Sequence, residues 1–242
     1  MKKFFPESVK NQSKPDKFCP GCGHSILLKI IGQVIDEMKI KKNILFGVDI
    51  GCSLLAWDYF DVKTIQTHHG RTIPVVSGYK KVSEKDVGIA YVGDGGAYAI
   101  GLQSLIHSVN RNDPITVLIV NNTVYGMTGG QMAPTTLNKE ITSTTLSGKD
   151  SSEKGQPMLG IELLKSLKNN KMYLSRVQIT NPLLVKKYLI RAIRHQIDKN
   201  SFSCIEILSM CPTNWRKDAR QSVSYVEKNM CSIFKPGEFY HE

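Results

Sequence analysis

GIAYVGDGGAYAIGLQSLIHSVNRNDPITVLIVNNTVYG, residues 88–126, decides the fold. Its first apolar run, Gly88 to Val92, stops at Gly93, and its second, Ile115 to Val120, stops at Asn121. Continuous apolar runs bounded by turn residues suit strands buried on both faces, as in a parallel sheet. Between them Leu102, Leu105, Ile106 and Val109 recur at helical spacing, so the stretch reads strand, helix, strand, a βαβ unit.

The same alternation continues outward. Ile26, Leu27, Ile30, Ile31, Val34, Ile35 and Met38 put an apolar stripe on a helix over Ser25 to Lys39, and Ile44 to Ile50 is a third strand-like run, ending at Gly51. Downstream the pattern predicts a helix over Gly160 to Leu167 and a strand over Tyr173 to Ile179. Asn181-Pro182 then serves as cap and first helical residue, the helix runs to Lys199, and a strand covers Phe202 to Leu208. The chain is therefore expected to be α/β, a doubly wound, mainly parallel sheet with helices on both faces. Residues 126–157 are rich in Gly, Ser, Thr, Lys and Pro with little apolar period, which predicts a loop serving a site. With no internal repeat or linker, residues 1–242 read as a single domain with an N-terminal arm (1–18) and a C-terminal tail (212–242).

At 242 residues, with 41% hydrophobic, 22% charged and 8% aromatic, the chain falls outside the disordered, collagen-like and membrane classes. Ile115 to Val120 is only six residues, against the roughly 20 that a spanning helix needs. Pro6, Glu7 and Lys10 interrupt the signal-like start Met1-Lys2-Lys3-Phe4-Phe5, so a cytoplasmic location is expected. The formal charge of +11 comes from lysines spread along the whole chain, without a basic block interleaved with aromatics. That pattern reads as a solvated surface, or one favouring an anionic cofactor or acidic partner, and argues against nucleic acid. Six cysteines, two of them close-set in Cys19-Pro20-Gly21-Cys22, suit a metal or cluster site better than a disulfide framework.

In a doubly wound sheet ligands bind beyond the carboxyl ends of the strands. Three such places stand out: Gly51-Cys52-Ser53, Gly93-Asp94-Gly95-Gly96, and Asn121-Asn122-Thr123-Val124-Tyr125-Gly126. At the second, glycines let an anion such as a diphosphate approach the backbone just before a helix N-terminus. The βαβ crossover brings Asp94 and Asn122 to neighbouring strand ends, and with the carbonyl of Val124 they form the hard oxygen set that Mg²⁺ prefers beside phosphate oxygens. A dinucleotide fingerprint fails, because its third glycine would fall at Tyr98 and Asp113 precedes the next strand. A Walker A loop fails for want of Gly-Lys-Ser/Thr.

The GDG, 25 residues, NN arrangement resembles the thiamine diphosphate motif. With Cys19-Pro20-Gly21-Cys22-Gly23-His24, Gly51-Cys52, His69-Gly70-Arg71, Tyr125-Gly126-Met127-Thr128-Gly129-Gly130-Gln131 and Cys211-Pro212-Thr213-Asn214-Trp215, the chain is similar to the β subunits of 2-oxoacid:ferredoxin oxidoreductases from about residue 18 to 240. The resemblance implies thiamine diphosphate held through Mg²⁺ on Asp94, Asn122 and the Val124 carbonyl. It also implies a [4Fe–4S] cluster on Cys19, Cys22, Cys52 and Cys211, since Cys₄ ligation suits a one-electron carrier. Cys204 is a weaker rival for the fourth position, Cys231 has no counterpart, and Cys₄ would also bind zinc. His69 carries over as the catalytic residue near the cofactor, and Gly51, Cys52, Ser53, Gly93, Asp94, Gly95, Gly96, Asn122, Tyr125, Gly126, Met127 and Thr128 as its surroundings. Gly96 stands where many relatives carry an acidic residue. The implied activity is the coenzyme A-dependent oxidative decarboxylation of a 2-oxo acid, with electrons passed to ferredoxin. The implied substrate is 2-oxoglutarate first, then a branched-chain acid such as 2-oxoisovalerate, or pyruvate. An α subunit would complete the site, with γ and ferredoxin-like δ chains as further partners. The alternatives are a thiamine-dependent enzyme half without a cluster and a zinc-containing nucleic-acid-binding module.

Overall fold

The structure, a computed structural model, describes residues 5–10, 16–167 and 171–239. Residues 1–4 and 11–15 of the expected arm and 240–242 of the expected tail lie outside the described residues. The first half of the chain forms helix α1 (Gly23–Glu37), strands β1 (Ile44–Val48) and β2 (Lys63–Gln66), helix α2 (Thr72–Val82), strand β3 (Val87–Gly93), helix α3 (Leu102–Asn110) and strand β4 (Thr116–Asn121). A small hairpin, β5 (Val124–Tyr125) with β6 (Gln131–Met132), and the short helix α4 (Ser151–Lys154) interrupt the long loop. Helix α5 (Gly160–Lys165), strand β7 (Tyr173–Gln178), helix α6 (Pro182–Lys199) and strand β8 (Ser203–Leu208) follow. Helices α7 (Pro212–Trp215), α8 (Ala219–Ser224) and α9 (Cys231–Ile233) and strand β9 (Gly237–Glu238) close the described chain.

Seven strands form one sheet in the order β2-β1-β3-β4-β8-β7-β9, parallel throughout except for β9, which runs antiparallel to β7. Side chains alternate between two apolar layers, as a pleated strand requires. Phe46, Tyr91 and Leu118 face one way, against Leu27, Ile31 and Ile35 of α1 and Val185, Leu189 and Ile193 of α6. Ala90, Val92, Val117 and Ile119 face the other way, against Ile73 and Val76 of α2, Leu105 and Val109 of α3, and Ile161 and Leu164 of α5. Each of the larger buried residues contributes about 1.5–3 kcal/mol by leaving water. The Asn181 side chain accepts from the Leu184 N–H, and Pro182 opens α6, as the sequence predicts.

Three features depart from the sequence reading. Strand β2 is a polar, largely exposed edge whose only apolar residue is Ile65, so it has no hydrophobic run to announce it. Helix α2 contains β-branched residues and Pro74, which look like strand and turn. The proline falls in the first helical turn, where no intrahelical N–H bond is lost. Lys80 is buried beneath this helix, its ammonium donating to the carbonyls of Glu84 and Asp86. Residues 212–239, expected as a tail, fold back onto the sheet and bury Trp215, Val226, Met230 and Phe234. At the other end, Ser8 Oγ donates to the Gly32 carbonyl at 3.0 Å, and Gly32 lets the segment around Pro6 lie directly on α1.

Because β1, β3, β4 and β8 are adjacent and parallel, their carboxyl ends share one edge. Gly51-Cys52, Asp94, Asn122 and Cys211 all emerge there.

Candidate functional site

A cleft of about 260 Å³ opens at that edge, and its lining includes Gly51, Cys52, Ser53, His69, Gly93 to Gly96, Asn122, Val124 and Tyr125 to Thr128. Every residue that the sequence reading placed around thiamine diphosphate and Mg²⁺ therefore borders one cavity, and of the four proposed cluster cysteines Cys52 does. Two wider depressions, near Lys139 and Arg216 and near Cys19 and Tyr59, carry no strand-end oxygen ligands.

Asp94 follows the last residue of β3 and is 3% exposed. Its Oδ1 accepts from the Gly95 N–H at 2.9 Å, and its Oδ2 accepts from the Thr135 hydroxyl, so the 126–157 loop reaches the site as expected. Burial pushes the Asp94 carboxyl up to about 7, and the hydrogen bonds to Thr135 and Gly95 only partly offset it. A divalent cation beside the carboxylate would supply the missing opposite charge. Asn122 is held by the Trp215 indole, which donates to its carbonyl at 3.2 Å, while its side-chain oxygen accepts from the Val124 N–H at 3.3 Å. Asn122 and Val124 both line the cavity, the arrangement expected of a side-chain and a carbonyl ligand.

The glycines of this edge are sites of close approach. A Cβ on Gly95 would stand 2.1 Å from the Tyr125 ring, and one on Gly96 would stand 2.1 Å from Asp49 Oδ2. Residues Gly96–Ile100 form a π-turn, a local widening that often marks functional sites. The sequence reading missed Asp49, which sits just beyond β1 and is fully buried. Its Oδ1 accepts from the Gly70 N–H at 2.8 Å and from the Thr72 hydroxyl at 3.1 Å, which fixes the His69-Gly70-Arg71 turn. Its Oδ2, with no hydrogen-bond partner among the described residues, occupies the space that a side chain at position 96 would need. Gly96→Ala is therefore expected to lower stability by about 1–3 kcal/mol through overpacking. A denaturant midpoint equal to the wild type's would mean that Asp49 swings clear. His69 itself is exposed at the mouth of the cleft, where it can meet a ligand arriving from outside.

Helix α1 begins at Gly23, whose hypothetical Cβ would stand 2.1 Å from Ser209 Oγ, and whose N–H donates to the Met210 carbonyl at 3.2 Å. That contact brings the Cys19-to-Cys22 turn against the end of β8, and the Cys22 N–H closes the turn onto the Cys19 carbonyl at 3.0 Å. Asn214 donates to Cys211 Sγ at 3.2 Å and to the Gly126 carbonyl at 2.9 Å, and a Cβ on Gly126 would stand 3.2 Å from Cys52 Sγ. Burial pushes the Cys22 thiol up to about 12 and the Cys52 thiol up to about 11. The neighbouring thiols add to this: Cys211, Cys52 and Cys19 act on Cys22, and Cys211 and Cys19 on Cys52. The four cysteines thus share one corner. Among the described residues, no three His, Cys, Asp or Glu side chains are grouped to hold a single metal ion.

Cys204 lies at the other end of β8 within the apolar layer packed on α3 and α5, and Cys231 belongs to α9. His24 is buried, stacked on Phe18 and hydrogen-bonded to the Tyr91 hydroxyl. Burial pushes its imidazole down to about 3, which favours the neutral form, and His24 also borders the cleft.

Residues 49–207 match the family described as thiamine pyrophosphate enzyme, C-terminal TPP binding domain. The chain is 39% identical over 225 residues to the ketoisovalerate oxidoreductase subunit VorA of Methanothermobacter thermautotrophicus, covering 92% of this chain and 47% of the relative. It is 30% identical to the 2-oxoglutarate synthase subunit KorB of Methanocaldococcus jannaschii, covering 97% and 85%. The chain thus spans about half the length of the VorA relatives it matches. Its fold is that of a chain of the 2-oxoglutarate:ferredoxin oxidoreductase from Magnetococcus marinus, with a TM-score of 0.78 at 21% identity, covering 98% of this chain and 88% of that one. A thiamine pyrophosphate-binding domain covering most of the strands, joined to a KorB relative matched over nearly its whole length, makes the chain a member of the 2-oxoacid:ferredoxin oxidoreductase β-subunit family.

Proposed function

We propose that the chain is the cofactor-binding half of a 2-oxoacid:ferredoxin oxidoreductase, its residues 1–242 forming one diphosphate-binding domain that carries thiamine diphosphate, Mg²⁺ and a [4Fe–4S] cluster. One observation supports this reading: Asp94, Asn122 and Cys52 line a single cleft at the strand ends, with Cys19, Cys22 and Cys211 close enough to Cys52 to act on one another. When bound, thiamine diphosphate supplies the electron sink for decarboxylating a 2-oxo acid. Asp94, Asn122 and the Val124 carbonyl would hold the cation that anchors its diphosphate, and the backbone around Tyr125 to Thr128 would wrap it. His69 would meet the diphosphate or the substrate from the rim. The four thiolates would hold a cluster close enough to take electrons singly, with coenzyme A accepting the acyl group and ferredoxin the electrons.

A cleft of about 260 Å³ is small for a complete ligand site, which fits a site shared with an α subunit. Ile100, Tyr125 and Met127 are exposed apolar residues at its edge, a surface for a companion chain to cover. No helix among the described residues is long and apolar enough to cross a membrane. Cysteines used as cluster ligands rather than in disulfides would suit a reducing, cytoplasmic compartment.

Of the two leading substrate classes, the branched-chain 2-oxo acids fit better. Beside the polar residues assigned to the cofactor, the wall that this chain contributes carries Ile50, Ile100, Val120, Tyr125 and Met127, and the VorA relative is 39% identical. The assembled enzyme, assayed with a viologen dye over a panel of 2-oxo acids, is expected to favour 2-oxoisovalerate over 2-oxoglutarate by at least about tenfold in kcat/KM, because an apolar wall leaves a second carboxylate unpaired. The opposite order would assign 2-oxoglutarate.

Iron, sulfide and thiamine analysis of anaerobically purified protein tests the larger reading. A brown protein bleached by dithionite is expected. A colourless protein with bound thiamine diphosphate would indicate an enzyme half without a cluster, and stoichiometric zinc would overturn the redox role. Cys52→Ala is expected to remove the dithionite-sensitive absorbance while leaving thiamine diphosphate binding measurable.

A further inference from the structure

Between the two proposed cation ligands sits a residue in an unfavourable backbone conformation. Thr123 has φ +63°, in the left-handed region, and it is the only β-branched residue there among the described residues. A branched Cβ in that region is a genuine outlier, and such outliers persist only where the surroundings over-determine them. The conformation has a visible consequence. Asn122 and Val124 both line the cleft, while the Thr123 side chain is turned away from it and fully buried.

The groups that hold Thr123 come from three directions. Its N–H donates to Asn121 Oδ1 at 3.1 Å, and Asn121 is itself fixed by donating to Glu206 Oε1 at 2.8 Å. Its carbonyl accepts from the Thr136 hydroxyl. Its own hydroxyl, 2.7 Å from the Asn122 carbonyl, lies 2.5 Å from Glu140 Oε1. Glu140 is a buried carboxylate of the 126–157 loop that the proposed chemistry does not use. It is fixed in turn by the Leu137 N–H at 2.8 Å on Oε2 and by the Tyr225 hydroxyl. A buried carboxylate needs such donors, and here it spends one of its acceptor positions on the strained threonine.

We propose that Glu140 is a positioning residue. By accepting the Thr123 hydroxyl it holds residue 123 in the left-handed conformation, and so sets the Asn122 side chain and the Val124 carbonyl at the spacing a divalent cation requires. The inference rests on the cation site proposed above and adds to it a residue that touches neither cation nor cofactor.

The test uses Mn²⁺ as the probe, its affinity for the full chain measured by electron paramagnetic resonance with thiamine diphosphate present, alongside melting curves without ligand. Thr123→Val keeps the branched Cβ and loses the hydroxyl, so Mn²⁺ affinity is expected to fall at least about tenfold, in the range seen when a ligand-supporting contact is removed. Thr123→Gly loses the same hydroxyl but adopts the left-handed conformation freely, and is expected to stay within about threefold of the wild type. Glu140→Ala is expected to weaken Mn²⁺ as Thr123→Val does, and the loss should nearly disappear in the Thr123→Gly background. A purely structural role for Glu140 would not be rescued in this way. Equal losses for the valine and glycine variants, or additive losses in the Glu140→Ala double variant, would overturn the proposal, and the two threonine variants decide it even if Glu140→Ala does not fold. Wild-type protein without divalent-dependent thiamine diphosphate binding would overturn the cation site itself, an outcome distinct from wild-type binding with no glycine rescue.

Discussion

Asp94→Ala is expected to abolish cation-dependent retention of thiamine diphosphate, raising the dissociation constant at saturating Mg²⁺ by at least about 100-fold, beyond the 10–100-fold typical of losing a ligand's supporting contact. Asp94 is the one carboxylate among the three proposed cation ligands, and Mg²⁺, strongly hydrated, gives up water for charged oxygen far more readily than for an amide. The side chain is buried between the Gly95 N–H and the Thr135 hydroxyl, so the alanine variant leaves a small polar gap and no route by which another acid replaces it. Calorimetric titration with the cofactor, with and without Mg²⁺, measures the effect. The dithionite-sensitive absorbance should survive, because the cysteines sit before α1, beyond β1 and beyond β8, on segments other than the one that carries Asp94. Retention equal to the wild type's would remove Asp94 from the cation site.

The second large effect is expected in stability. Arg176, on β7, is fully buried. Its Nε donates to Glu206 at 2.6 Å, and its two terminal nitrogens donate to the carboxylate of Glu162 at 2.7 Å each. Phe234 and Phe239 lie against the guanidinium. Burial opposes its charge, but Glu162 and Glu206 outweigh that and hold the guanidinium above its ordinary pKa. Arg176→Met should lower the unfolding free energy by about 3–5 kcal/mol, because it strands the Glu206 carboxylate in the core. Glu162 is 39% exposed at its side chain and can recover water. Adding Glu206→Gln should restore part of the loss, since glutamine keeps an acceptor for Asn121 without an unpaired charge. Denaturant titrations of the two variants decide the point. A loss under about 1 kcal/mol for Arg176→Met would mean that the network contributes little beyond its own desolvation.

The parts of the molecule legible in the sequence are those whose signal is local. The strands at 44, 87, 116, 173 and 203 and the helices at 23, 102, 160 and 182 follow from apolar period and from caps such as Asn181-Pro182, because burying a face forces a periodic pattern. Strand β2 and helix α2 were not legible. The first is an edge strand selected by its pairing with β1, and the second is a β-branched segment held helical by packing on β1 and β3. The placement of Asp94 and Asn122 at strand ends was legible because glycines and asparagines punctuate the ends of apolar runs. Asp49, Thr135 and Glu140 were not, since a single acid or threonine in a loop has no pattern of its own. The preference for Cys211 over Cys204 came from the family resemblance, and position now favours the same residue. Both are cysteines on or near β8, but one faces the apolar layer and the other the corner with Cys22 and Cys52.

The sequence by itself determined that this chain builds a parallel sheet with Asp94, Asn122 and cysteines at or near its strand ends, because strand runs and the residues that stop them are neighbours in the chain. Only the tertiary structure decided which buried groups stand behind those residues. Asp49 against Gly96, Thr135 on Asp94 and Glu140 on Thr123 are separated by 47, 41 and 17 residues, and contacts of that kind exist only once the sheet has closed and the long loop has folded across its edge.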